Sequence, residues 1–290
     1  GYGSDTLDGG AGDDVIHGDS LAFTNSMSDL AFWLDASKLS TMSLSGTKVT
    51  QWDSLDSTGT RYATQGTDSK RAELVTGAVN GRSALRFDGT DDAMNSFTSF
   101  FDTDEHTVFL MSKTATTTVS NQEEDMFGTG GTGQDDILIM NYYDGGSTVY
   151  RGHKWHDSST SYTEVNASGA TNNYTIYQQR DTGNVLEIGR NGLTETTVTH
   201  NYGSSDGDLK QVFLGSRNGG GAFLDGDIAE VLVFNNDLSD ADVEIVQEYL
   251  SYKYAVALNG LSFGTDTLTG GTGADTFTWS NASHSGVGDG

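Results

Sequence analysis

The chain has 290 residues, 41 of them acidic and 15 basic, for a formal net charge of −26. That charge excludes nucleic acid and anionic membrane as partners and favours cations that neutralise carboxylate clusters. Cysteine is absent, which excludes disulfides and thiolate metal sites, and no apolar run approaches the roughly 20 residues that cross a bilayer.

The first predicted element is a repeat. Gly9-Gly10-Ala11-Gly12-Asp13-Asp14-Val15-Ile16-His17 fits the pattern G-G-x-G-x-D-x-U-x, where U is a large apolar residue. Gly3, Asp5 and Leu7 occupy the places of Gly12, Asp14 and Ile16 one repeat earlier. Glycines let the backbone turn its carbonyls inward on a cation, and Asp5, Asp13 and Asp14 add carboxylates to a hard oxygen shell that suits Ca2+. The chain opens in mid-repeat at Gly1, which implies a piece of a longer protein.

From 21 to 260 short apolar runs alternate with turns rich in Gly, Asp, Asn, Ser and Thr, and proline is absent while glycine supplies 38 residues. The runs at 31–34, 84–87, 107–111, 137–140, 185–188, 211–214 and 228–234 are predicted strands. Many short strands with regular breaks read as a sandwich or barrel. The stretch 128–136 reads as a Gly-rich loop between two strands, preceded by Gln122-Glu123-Glu124-Asp125. Asp125, Asp135 and Asp136 are candidate calcium ligands there, and Gly131, Gly133 and Gln134 would line a ligand beside them. A solvated turn is the competing reading of the same residues. Tyr142, Tyr143 and Trp155 are candidate stacking residues for a sugar ring or a peptide side chain, although sandwich aromatics also form cores. His153 and His156 read as a surface pair, and Asp91-Asp92 and Asp35 as turn-stabilising residues. Asp225 and Asp227 beside Gly219-Gly220-Gly221 form a second acidic rim that could hold calcium.

A helix is predicted next, capped by Ser239 with Asp242 in its first turn and Val243, Val246, Leu250 and Tyr254 at helical spacing. The repeat then returns as Gly270-Gly271-Thr272-Gly273-Ala274-Asp275-Thr276-Phe277-Thr278, preceded by Gly264, Asp266 and Leu268. Asp266 and Asp275 are its candidate calcium ligands. Two turns at each end are too few for a stable stack unless they meet each other or a neighbouring domain.

The nine-residue repeats resemble the RTX family, whose repeats form a calcium-filled parallel β-roll and many of whose members leave bacteria by type I secretion. The stretches 33–37, 49–52 and 84–92, with 226–239, resemble the laminin-G-like, concanavalin A-like superfamily. Together the resemblances imply an all-β, concanavalin A-like (laminin-G-like) β-sandwich with one C-terminal helix, flanked by short calcium-repeat segments. The implied division is 1–20 and 261–290 as the halves of a split repeat domain and 21–260 as the inserted ligand-binding domain. The implied function is a calcium-dependent module of a bacterial surface adhesin, secreted by the type I route and not inserted in a membrane. It would bind a peptide or protein, held through a C-terminal carboxylate, with glycan recognition and a structural spacer as alternatives. Glucanases of the superfamily carry E-x-D-x-x-E; here Asp225-Gly226-Asp227-Ile228-Ala229-Glu230 shortens the first acid by a methylene, which argues against an enzyme.

Overall fold

The computed structural model describes residues 6–13, 15–17, 27, 29–102, 104–115, 122–130, 137–144, 147–155, 162–169, 172–200, 209–259, 267–274 and 276–278. It divides into two compact units, one made of Gly1–Phe23 with Gly260–Gly290 and one of Thr24–Asn259. In chain order the elements are β1 (Thr6–Asp8), β2 (Val15–His17), β3 (Leu30–Asp35), β4 (Met42–Ser45), β5 (Lys48–Asp53), β6 (Tyr62–Thr64) and β7 (Glu73–Val79). There follow β8 (Arg82–Asp88), β9 (Met94–Ser96), β10 (Glu105–Thr114), β11 (Gln122–Gly130), β12 (Ile137–Asp144), β13 (Ser147–Trp155) and β14 (Tyr162–Ser168). The last are β15 (Thr175–Thr182), β16 (Val185–Arg190), β17 (Leu193–Thr199), β18 (Gln211–Leu214), β19 (Asp225–Phe234), α1 (Asp240–Tyr254), β20 (Thr267–Thr269) and β21 (Thr276–Thr278).

The larger unit is an antiparallel β-sandwich, and all seven predicted stretches are strands within it. One sheet runs β17, β16, β15, β10, β19 and β3. The first part of β19 also pairs with β8, which pairs with β7. The other sheet runs β14, β13, β12, β11, β18, β9, β6, β5 and β4. Between them lies one apolar core that includes Phe32, Trp52, Phe87, Leu110, Phe127, Tyr150, Ile188, Leu214 and Val231. Each such side chain contributes on the order of 1.5–3 kcal/mol by leaving water.

Burial follows position in the sandwich. β14 alternates exposed and buried residues, the period of a strand with one face on the core. β10 and β19 are buried on both faces after their first residue. Ile228, Val231 and Val233 face the sandwich core, while Phe109, Leu232 and Phe234 are buried on the opposite face, the one that α1 covers. Ser239 Oγ accepts the Asp242 amide at 3.2 Å as the N-cap of α1, and Val246, Leu250 and Tyr254 turn inward. Among the described residues no helix is long and apolar enough to cross a membrane.

The helix is also held by a buried charge cluster. Lys253 Nζ lies 2.6 Å from Glu230 Oε2 and 2.7 Å from Asp35 Oδ2, and both carboxylates are fully buried. Trp33 Nε1 and Tyr249 Oη donate to Glu230 Oε1 at 2.6 and 2.7 Å. Asp35 Oδ1 also accepts the Ser37 amide at 2.9 Å, so this residue closes a turn and anchors the helix together.

In the smaller unit the two ends of the chain pair with each other. β1 lies parallel to β20 and β2 parallel to β21, with Leu7 opposite Leu268 and Ile16 opposite Phe277. The turns between keep the same register, with Ala11 bridged to Thr272 and Gly12 N donating to Thr272 O at 2.9 Å. Glycine is required where they stack. A Cβ on Gly271 (φ +77°) would lie 1.6 Å from Gly10 O, and one on Gly273 (φ +151°) would lie 2.0 Å from Gly12 O.

Two outcomes are expected from these contacts. Lys253→Met leaves Asp35 and Glu230 buried without a counter-ion and should cost about 3–5 kcal/mol of unfolding free energy in a denaturant titration. Gly271→Ala should abolish hydrogen-exchange protection of the Gly12 amide while the sandwich melts as before.

Candidate functional site

The richest cluster of uncompensated groups lies where β8 ends. Asp88 Oδ1 accepts the amides of Thr90 at 2.8 Å and Asp91 at 3.4 Å, and Asp92 Oδ2 accepts the Asp88 amide at 3.2 Å. This is the turn chemistry expected of short acidic side chains. It also gathers the carboxylates: ligand atoms of Asp88, Asp91 and Asp92 all lie within 4.8 Å of one another. The β8–β19 register sets Asp225 opposite Asp88, and Gly89 (φ +73°) makes room, since a Cβ there would lie 2.8 Å from Asp225 Cβ.

From β11 comes Glu124, 1% exposed, with Oε2 lacking any hydrogen-bond partner. Burial and then the neighbouring Asp225 carboxylate push Glu124 up to about 8. Burial and then Asp88 push Asp92 up to about 6, and the same two causes raise Asp225. These shifts mark crowded carboxylates that a cation would discharge. An orphaned buried carboxylate oxygen beside an all-oxygen donor set fits calcium, a hard ion that takes several such ligands.

The expected calcium shell of 122–125 with 128–136 lies only in part within the described residues. Residues 128–130 belong to β11, not to a loop, because they pair with Phe213, Val212 and Gln211 of β18. Gly130 packs under the Phe213 ring, where a Cβ would lie 2.7 Å from Cε2. Asp125 and the strand end at Gly130 are therefore roughly 17 Å apart along an extended strand. Asp125 is fully buried, with Oδ2 3.2 Å from Arg217 Nε and Oδ1 unpartnered. Burial pushes it up to about 7 against the pull of Arg217. Gly131, Gly133, Gln134, Asp135 and Asp136 lie outside the described residues, as do Asp5, Asp14, Asp266 and Asp275. Tyr142 and Tyr143 stand in β12 opposite Glu123 and Gln122, and Trp155 ends β13 opposite Tyr162. Asp13 is exposed, and its Oδ1 accepts the Ala274 amide at 2.9 Å, tying one repeat turn to the other. His153, read as a surface residue, stands on the face of β13 opposite the core-facing Tyr150 and is buried there by Tyr162, packed edge-on at 4.5 Å between centroids.

The glucanase-like spacing has a structural explanation. Asp227 is fully buried and bound by Arg86 Nε at 2.8 Å, Lys113 Nζ at 3.2 Å and Tyr174 Oη at 2.6 Å. Burial alone would raise it, but the Arg86 and Tyr174 hydrogen bonds and Lys113 hold it below the usual carboxylate range. Glu230 is sealed under α1. The two acids are committed to separate ion pairs and form no open carboxyl pair for glycoside cleavage.

The raised carboxyls give a signed pH dependence. Between the ordinary carboxyl range and about pH 8 the folded chain holds protons at Glu124 that the unfolded chain has lost. Stability without a cation should therefore fall as pH rises through this window. Glu124→Gln should flatten that decline in melting curves taken in chelator, and added calcium should reverse it at pH 8.

No family model matches the chain, and no curated protein matches it. Its fold is similar to that of several solved receptor-binding domains. The receptor-binding domain of botulinum neurotoxin D aligns at TM-score 0.52 and 11% identity, over 76% of this chain and 52% of that one. The binding domain of Paraclostridial Mosquitocidal Protein 1 aligns at 0.53 and 13%, over 77% and 52%. The botulinum neurotoxin serotype D ligand-binding domain in complex with N-acetylneuraminic acid aligns at 0.51 and 12%, over 76% and 51%. The chain thus spans about half the length of the structures it matches, and shares its fold with that half.

Proposed function

We propose that the larger unit is a calcium-dependent glycan-binding module, carried by a secreted bacterial surface adhesin whose repeat domain it interrupts. The observation that carries this reading is the cluster of Asp88, Asp91 and Asp92, with Asp225 opposite Asp88 and the buried Glu124, its Oε2 unpartnered, near Asp225. Among the described residues no Lys or Arg forms an ion pair with Glu124, Asp88, Asp91 or Asp92. Calcium held by these acids keeps coordination positions for ligand oxygens, and a vicinal pair of sugar hydroxyls fills two of them.

A peptide C-terminal carboxylate is the other oxygen ligand such an ion accepts. The sugar reading is preferred because one fold neighbour is solved with N-acetylneuraminic acid, although that ligand belongs to a domain about twice the length matched here. The in-register stacking of the two repeat copies supports the RTX-like reading of the smaller unit, with Asp5, Asp13, Asp14, Asp266 and Asp275 as calcium ligands and type I secretion as the route out.

A glycan array and a library of peptides with free C-termini, each probed in calcium and in excess chelator, test the proposal. Glycan capture lost on chelation, and reduced at least tenfold by Asp91→Asn with Asp92→Asn, is the expected result. Calcium-dependent capture of peptides alone replaces the sugar with a carboxylate ligand. No capture in either format leaves the module as a structural spacer.

A further inference from the structure

We propose that the outward face of the second sheet carries a subsite for a neutral hexopyranoside ring, built on Tyr62 and Phe97; this assignment rests on the glycan reading above. The β6–β9 register sets Thr64 opposite Asn95 and Ala63 opposite Ser96. Tyr62 and Phe97 are the next cross-strand pair, and Phe97 N donates to Tyr62 O at 3.1 Å. Their neighbours Trp52, Ala63, Ser96 and Val212 are buried towards the core, so the two rings lie on the other side of the sheet. The rings are 5.1 Å apart and 18° from coplanar, and Phe97 is 61% exposed.

A cross-strand aromatic pair stabilises a sheet by itself. That role does not account for a phenyl face left open to water, which is unfavourable until another apolar surface covers it. The surroundings define what covers it. Asp53 is opposite Tyr62 and Gln51 opposite Thr64, and Gln51 Nε2 donates to Asp53 Oδ1 at 2.6 Å. On the far side Asn95 is opposite Phe213, which places Gln211 beside Phe97, and Gln211 Nε2 reaches Phe97 O at 3.4 Å. These four polar residues are half-buried.

A stacked aromatic pair with the Phe97 ring exposed, bordered by amides and one carboxylate, matches a pyranose, which offers a C–H face to the ring and hydroxyls to the polar groups around it. An apolar peptide side chain would make no use of the remaining hydrogen-bonding capacity of those polar groups. An acidic sugar would meet Asp53 and a chain of net charge −26. The observations therefore favour a neutral ring.

Titration of the whole chain in calcium, followed by saturation-transfer NMR, separates the possibilities. The probes are methyl β-galactopyranoside, methyl β-glucopyranoside and N-acetylneuraminic acid. A neutral glycoside should bind, Phe97→Ala should weaken it about three- to tenfold, and Phe97→Trp should retain it. Both variants should keep the parent's fold, Phe97→Ala losing only the small contribution of the cross-strand pair. Equal affinity in the parent, Phe97→Ala and Tyr62→Ala overturns the subsite and leaves the glycan reading standing. Binding of N-acetylneuraminic acid alone overturns the neutral-ring assignment. Failure of the parent to bind any glycan here or on the array overturns both.

Discussion

The register of β19 is the constraint on which the rest of the sandwich depends. The strand pairs with β10 along one edge and with β8 and then β3 along the other, so neither edge is open. It is also buried on both faces. A slip by one residue would exchange those faces, placing Ile228, Val231 and Val233 against the helix and Glu230 in the apolar core. The same register sets Asp225 opposite Asp88 and brings Glu230 beneath Lys253. Core, helix anchor and acidic rim are three consequences of one alignment.

Electrostatics divides the acids into two populations. The chain has 15 basic residues for 41 acids, and several of the basic ones serve buried carboxylates. Arg86 and Lys113 hold Asp227, Lys253 holds Asp35 and Glu230, Lys154 holds Asp181, and Arg217 holds Asp125. Each of those acids has a basic partner within the protein. Glu124 and the Asp88–Asp91–Asp92 turn form no such ion pair among the described residues, and burial, then a neighbouring carboxylate, raises the proton affinity of Glu124 and Asp92. The contrast separates carboxylates bound to a basic side chain from those assigned to the proposed calcium.

The repeats solve a different problem. A coil of short strands cannot bury its apolar residues alone, and each end of the chain supplies too little of one. Parallel pairing sets Leu7 opposite Leu268 and Ile16 opposite Phe277, so each half supplies a strand partner to the other. The glycines permit this, because no side chain fits between Gly10 and Gly271 or between Gly12 and Gly273.

Local pattern determined much of this protein from sequence alone. Strand and helix periodicity, the Ser239 cap and the Gly-Asp turns each depend on residues close in the chain, and they made the all-β class, the seven predicted strands and α1 legible. The Gly-rich stretch misled because glycine marks close packing as readily as a loop, and Phe213 over Gly130 comes from a distant strand. Glu124 with Asp225, and Tyr62 with Phe97, were invisible for the same reason. Their partners are far apart in sequence, and only cross-strand register brings them together. Sequence lists which carboxylates and rings the chain possesses; tertiary pairing alone decides which carboxylates meet a basic partner and which rings face open water, because that depends on distances the linear order does not contain.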